Sequence, residues 1–302
     1  MNTHSHPPVA EPASTHSNHD PQAEAGFSQV DLLTVIVVLA LLGLLLCPAL
    51  ARTEMTDQTL QCRNNLRQLI HGWRLYAEDN NDKLPNCFDW CGIPSPTTPG
   101  SYANGSENYS PNNPDNTNIL YLLHGSLGPY VKAAAVYKCP ADQSQALEGG
   151  VNYPRVRTIS MSQAFCLSNQ GHLEDGDSPA NFWRHYLRST AIIRPSPSAL
   201  WVLGDENPDS VNDAAMSVNM AGGNMYGGTP NPSRNKWMDG PSNLHDGGCG
   251  FAFADGHYEL KKWTDPRTLA LKTTYTQSFP YGIVQSNSPD IQWVKDRTTA
   301  PK

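Results

Sequence analysis

The first lysine or arginine of this chain is Arg52; the 51 positions before it carry neither. Basic residues are also outnumbered overall, 21 Lys and Arg against 28 Asp and Glu, and they form no block; the net charge of −7 excludes nucleic acid as an expected partner. No G-x-S-x-G elbow, H-E-x-x-H helix or phosphate-cradling glycine loop occurs. An enzyme is therefore not expected, and a hydrolase built on His and Asp ranks last among the readings. Internal repeats are also missing. Large apolar residues are almost absent from residues 1–26, "MNTHSHPPVAEPASTHSNHDPQAEAG". Such a stretch buries too little surface to offset its ordering entropy, so it reads as a disordered leader.

The adjoining segment has the opposite character. Residues 32–51 run for twenty positions without a charge. A helix rises about 1.5 Å per residue, so a run of this length matches the ~30 Å hydrocarbon core of a bilayer. The segment 27–52 is thus expected to span a membrane, with the lipid bilayer as a partner. Asp31 stands against its first turn. A carboxylate near lipid is costly and needs a counter-charge.

Beyond the anchor, Leu66, Leu69, Ile70, Trp73 and Tyr76 fall on one helical stripe. Residues 53–84 therefore read as an amphipathic continuation of the same helix, ended by "EDNND" and Pro85. Residues 85–302 read as a loop-rich β domain outside the cytoplasm. Its long loop covers 86–118, and a short helix is expected within 127–142. Strand candidates are "TISMSQAF" at 158–165, "ALWVLGDE" at 199–206, "GFAFAD" at 250–255 and "HYELKKW" at 257–263. Asp255-Gly256 between the last two reads as a two-residue hairpin turn. The expected fold class is α+β, a long N-terminal helix on a mainly antiparallel sheet.

Gly26 followed by Phe27, an acid at Asp31 and a long apolar helix together resemble the N-terminal signature of type IV pilins and type II secretion pseudopilins. The resemblance extends through "QCRNNLRQLIHGWRLYAEDNNDKLP", "YKCPAD", "DENPDSVND" and "NLHDGGCGFAFADGHYELKKW". These segments resemble the pilin-like group with a C-terminal H-X9-DG motif, here His245 to Asp255-Gly256. It implies a pilin-like fold, cleavage between Gly26 and Phe27 by a prepilin peptidase, and methylation of the new N-terminus. It also implies an assembly role for Asp31, which stands where the family usually has Glu, in pairing with the terminal amine of another pilin-like subunit. The implied location is the inner membrane, single-pass, with the C-terminal domain periplasmic or at the surface.

Two metal readings and a redox reading stay open. Asp205, Asn207, Asp209 and Asp213, with Asn212 beside them, supply oxygen ligands of the kind calcium takes, although no EF-hand pattern is present. His245, Asp246, Asp255 and His257 could instead act as metal ligands or acid/base groups. Six cysteines lie beyond the apolar run, at 62, 87, 91, 139, 166 and 249. Cys87–Cys91 is the expected local bridge; a zinc site made from these cysteines and histidines is the alternative. Three function classes remain: an assembly subunit first, then an anchored binding module using some of the 7 Trp and 12 Tyr on a glycan, then the hydrolase.

Overall fold

The computed structural model describes residues 28–94, 102–103, 109–167, 182–220, 231–276 and 279–302, leaving aside the side chains of 43–56, 93–94 and 102–103. The chain divides into two compact units, Met1–Leu50 and Ala51–Lys302. Helix α1 is Gln29–Asp79. Between residues 30 and 42 every large apolar side chain on it is exposed. Among the described residues no helix is long and apolar enough to cross a membrane. The second half of the uncharged run lies outside the described side chains, as Gly26 and Phe27 lie outside the described residues.

In the second unit α1 buries one stripe: Cys62, Leu66, Leu69, Ile70, Trp73 and Ala77 are nearly or fully covered. Tyr76, expected on that stripe, is only partly buried and meets Tyr130 edge-on at 5.9 Å. The helix ends within "EDNND", as its polar run predicts. Asn81 and Asp82 take positive φ, and the Asp82 amide reaches back to the Ala77 carbonyl at 2.9 Å, closing the last turn.

The strands are β1 Ile93–Pro94, β2 Tyr102–Ala103, β3 Gln145–Glu148, β4 Val151–Pro154, β5 Ile159–Ser162, β6 Trp201–Asp205, β7 Ala215–Met216, β8 Lys236–Trp237, β9 Gly248–Phe253, β10 Tyr258–Lys262 and β11 Ile283–Val284. Short helices intervene: α2 Ile119–His124, α3 Gly128–Val131, α4 Pro266–Leu269 and α5 Pro289–Lys295. The central sheet has the order β10-β9-β6-β5-β7, antiparallel throughout except for the β5–β7 pair. The molecule is thus mixed α+β with a mainly antiparallel sheet. All four strand candidates lie in this sheet.

The alternating pattern of β9 is misleading about its surroundings. Every residue of β9 is buried. Successive side chains point to opposite faces, and each face has a cover. A Cβ on Gly250 would come within 2.9 Å of Leu66 on α1, whereas Phe251 packs on Trp201, Trp263 and, from α5, Trp293. The sheet is a middle layer between α1 and a tryptophan-rich layer.

Two expectations need correction. The β9–β10 loop holds three residues, Ala254, Asp255 and Gly256, not two. Tyr258 pairs with Ala252, the His257 carbonyl accepts from the Phe253 amide, and the Gly256 amide closes the turn on the Phe253 carbonyl at 2.8 Å. Only Gly256 has positive φ, +96°. This is a turn with a left-handed glycine at its end, the usual three-residue hairpin. The second correction concerns cysteine. Cys87 bonds to Cys166, with Cα atoms 4.8 Å apart, and Cys91 is buried outside the disulfide. The 86–91 segment is already closed by hydrogen bonds, Trp90 amide to Asn86 carbonyl and Asn86 amide to Asp89. That turn sets Cys87 at bridging distance from the end of the β5 segment instead.

Candidate metal centre

Four side chains from four separate elements meet behind the sheet: Cys62 of α1, Cys139 of the turn after α3, Asp205 at the end of β6 and His245 of the loop before β9. One ligand atom from each lies within 4.8 Å of all the others, and all four residues are buried. Cys139 Sγ is 3.2 Å from His245 Nε2, which is 3.3 Å from Asp205 Oδ2.

Local sequence explains how each is held. Cys62 belongs to the buried stripe of α1. The Cys139 amide donates to Thr158 Oγ1 at 2.8 Å, Pro140 comes next, and the Asp142 amide returns to the Cys139 carbonyl. Asn65, one turn along α1 from Cys62, donates to the Lys138 carbonyl at 3.1 Å, fixing this turn to the helix. Asp205 takes the face that α1 covers, because β6 pairs with β9 so that Gly204 opposes Phe251 on the other face. His245 opens "HDGG", in which Asp246 and Gly247 both have positive φ. The Lys262 ammonium donates to the His245 carbonyl at 2.7 Å and the Asp246 carbonyl at 2.8 Å. On the far side of the ring, Nδ1 is 3.2 Å from Thr59 Oγ1, again on α1.

The electrostatics of the cluster are unusual. Among the described residues neither carboxylate oxygen of the buried Asp205 has a hydrogen-bond donor; the contact to Nε2 satisfies an ion-pair distance without hydrogen-bond geometry. Burial pulls the His245 imidazole down, but Asp205 and Cys139 beside it reverse this and push it up to about 10. The Cys139 thiol is held well above its ordinary value by its hydrogen bond to Cys62 and by burial. For Cys62 the bond to Cys139 acts downward, yet burial and the Asp205 charge leave it raised. Cys249 is a neighbour, not a member: its thiol donates to the Asp205 carbonyl at 2.9 Å.

The expected calcium set does not converge. Asp205 is drawn into this cluster. Asp209 accepts from Tyr109 Oη, from Thr274 through both its amide and its hydroxyl, and from the Tyr275 amide. Asn207 Oδ1 caps the Asp209 amide at 3.0 Å, and Asp213 Oδ1 caps the Ala215 amide at 2.8 Å. These oxygens are taken up by protein donors. The expected His/Asp set also divides. His245 is buried, while Asp255 and His257 pair with each other at 2.6 Å in the open, and Asp246 pairs with Lys262 at 3.2 Å. His257 also stacks on Phe253 at 4.2 Å. Asp31 sits in a capping box with Ser28: the Asp31 amide donates to Ser28 Oγ, and its carboxylate accepts from the Ser28 amide at 3.0 Å.

Sequence reasoning named Asp205 and His245 but put them in different sites, and left Cys62 and Cys139 unassigned among six cysteines. The available signal was that "QCRNN", "YKCPAD", "GDEN" and "NLHDGG" each carry one of the four. A groove of about 700 Å³ opens beside the cluster between Gln61 and Asn65 of α1 and Lys138, Cys139 and Arg155. Comparison of the chain with protein-family models, with curated proteins and with solved structures gave no match.

Proposed function

We propose that this chain is a pilin-like, membrane-anchored assembly subunit of a type II secretion or type IV pilus-like system. Its location on this reading is the inner membrane, with the sheet domain in the periplasm or at the surface. One observation carries the reading: the two halves of α1 differ in what they cover. Between residues 30 and 42 apolar side chains are exposed on all sides, as in a helix whose solvent is lipid, while from Cys62 to Ala77 a single stripe is buried on the sheet. A pilin-like fold, with one helix serving both layers, accounts for both. Asp31 has an intrachain role in its capping box with Ser28. Its second role on this reading is to receive the terminal ammonium of another subunit after a prepilin peptidase cuts between Gly26 and Phe27.

Mass spectrometry of the mature protein tests the reading. The expected N-terminus is a methylated Phe27. Asp31→Ala is expected to reach the membrane undiminished, since it removes a charge, and to lose co-purifying subunits. An N-terminus at Met1 in membrane fractions, or Asp31→Ala that retains its partners, removes the pilin pathway. The groove beside Asn65 favours a second reading, an anchored binding module, which needs no processing at Gly26.

A further inference from the structure

We propose that Cys62, Cys139, Asp205 and His245 bind one zinc ion, and that this ion fastens α1 to the sheet domain. The proposal does not depend on the membrane reading. It needs only the Ala51–Lys302 unit, in which all four residues lie.

The donor set is the first argument. Two thiols, an imidazole and a carboxylate are the ligands zinc takes in tetrahedral sites. At Zn–S of about 2.3 Å and Zn–N or Zn–O of about 2.0 Å, neighbouring ligand atoms in a tetrahedron stand about 3.3–3.8 Å apart. The contact of Nε2 to Asp205 Oδ2 at 3.3 Å lies at that spacing, that of Nε2 to Cys139 Sγ at 3.2 Å falls just short of it, and the widest separation in the set is within 4.8 Å. Side-chain shifts on the order of 1 Å or less complete the tetrahedron.

The second argument is independent of the donor types. Asp205 is fully buried, and among the described residues neither of its oxygens receives a hydrogen bond. Burying a carboxylate that receives no hydrogen bond is costly, even with His245 Nε2 at 3.3 Å. A cation among Asp205, Cys139 and Cys62 removes that penalty. The surroundings are also arranged for a ligating histidine. With the metal on Nε2, Nδ1–H faces Thr59 Oγ1 at 3.2 Å, the outer contact that fixes tautomer and ring orientation in such sites. Four protein ligands, all buried, leave no position for water or substrate, so the ion is structural and not catalytic.

Zinc analysis and cobalt substitution on the full-length chain, purified in detergent under reducing conditions, test the proposal. The expected result is one zinc per chain. After exchange with Co²⁺, a thiolate-to-cobalt charge-transfer band and the intense visible bands of a tetrahedral site should appear. Removing zinc should speed hydrogen exchange in residues 57–79 by about tenfold or more, because a ligand bound only to the folded state is lost. Cys62→Ser with Cys139→Ser should abolish the band, whereas Cys249→Ala should keep it. The cobalt spectrum of the unaltered chain decides the matter even where a variant fails to fold. A chain that binds neither metal overturns the proposal, as does a double-cysteine variant that keeps its zinc. A Cys62–Cys139 disulfide in protein isolated without reductant or chelator would overturn it equally, since those thiols would then have no role as ligands.

Discussion

At the scale of single residues, Asp255-Gly256 separates a turn from a site. The β9–β10 turn needs positive φ at Gly256, and an added Cβ there would also stand 2.9 Å from the Arg74 guanidinium. Gly256→Val should therefore destabilise the domain by about 1–3 kcal/mol, measured by equilibrium unfolding. Asp255→Asn should be mild: the Asp255 side chain is partly exposed, accepts from the His257 amide and ring, and touches nothing in the metal cluster. A Gly256→Val protein as stable as the parent, or an Asp255→Asn protein that loses bound metal, would contradict this account. The motif His245 to Asp255-Gly256 thus joins residues with two different tasks: His245 enters the buried cluster, and Asp255-Gly256 reverses the chain.

Among the elements, the decisive contact is α1 on the sheet. The stripe was legible because helical periodicity is local: each residue three or four positions on falls on the same face. The burial of β9 was not legible in the same way. Its alternation suggests one wet face, but α5 and the tryptophans cover what α1 does not. Leu66 shows the coupling. It is wholly buried, and its methyl group lies 2.9 Å from where a Cβ on Gly250 would be, so helix and strand approach closely at the glycine. Leu66→Ala should cost about 2–5 kcal/mol through the cavity left at this contact. Urea unfolding of the full chain would register it as a lower midpoint at unchanged slope. A loss below ~1 kcal/mol would mean that the helix does not rest on β9.

For the whole molecule, a covalent link ties together segments far apart in the chain. Cys87 and Cys166 are 79 residues apart, and their bridge holds the turn after α1 to the segment after β5. Replacing Cys166 with Ser should destabilise the chain by about 2–5 kcal/mol. Peptide mapping of the unaltered protein should recover Cys87 joined to Cys166 and no disulfide at Cys91. A Cys87–Cys91 peptide would restore the local bridge that the spacing alone suggested. Local sequence determined the helix from its stripe, β5, β6, β9 and β10 from alternation and β-branched or aromatic content, the end of α1 from its polar run, and the reversal at Gly256. All of these depend on contacts between residues close in sequence. Tertiary structure alone decided which cysteine meets Cys87, that Asp209 accepts from Thr274 and Tyr275, and that Cys62, Cys139, Asp205 and His245 converge. Cys139 and His245 are 106 residues apart, and no spacing rule relates them. They meet because α1 packs across the sheet face on which β6 presents Asp205, and side-chain convergence of that kind is set by how elements pack, not by the order in which the chain supplies them.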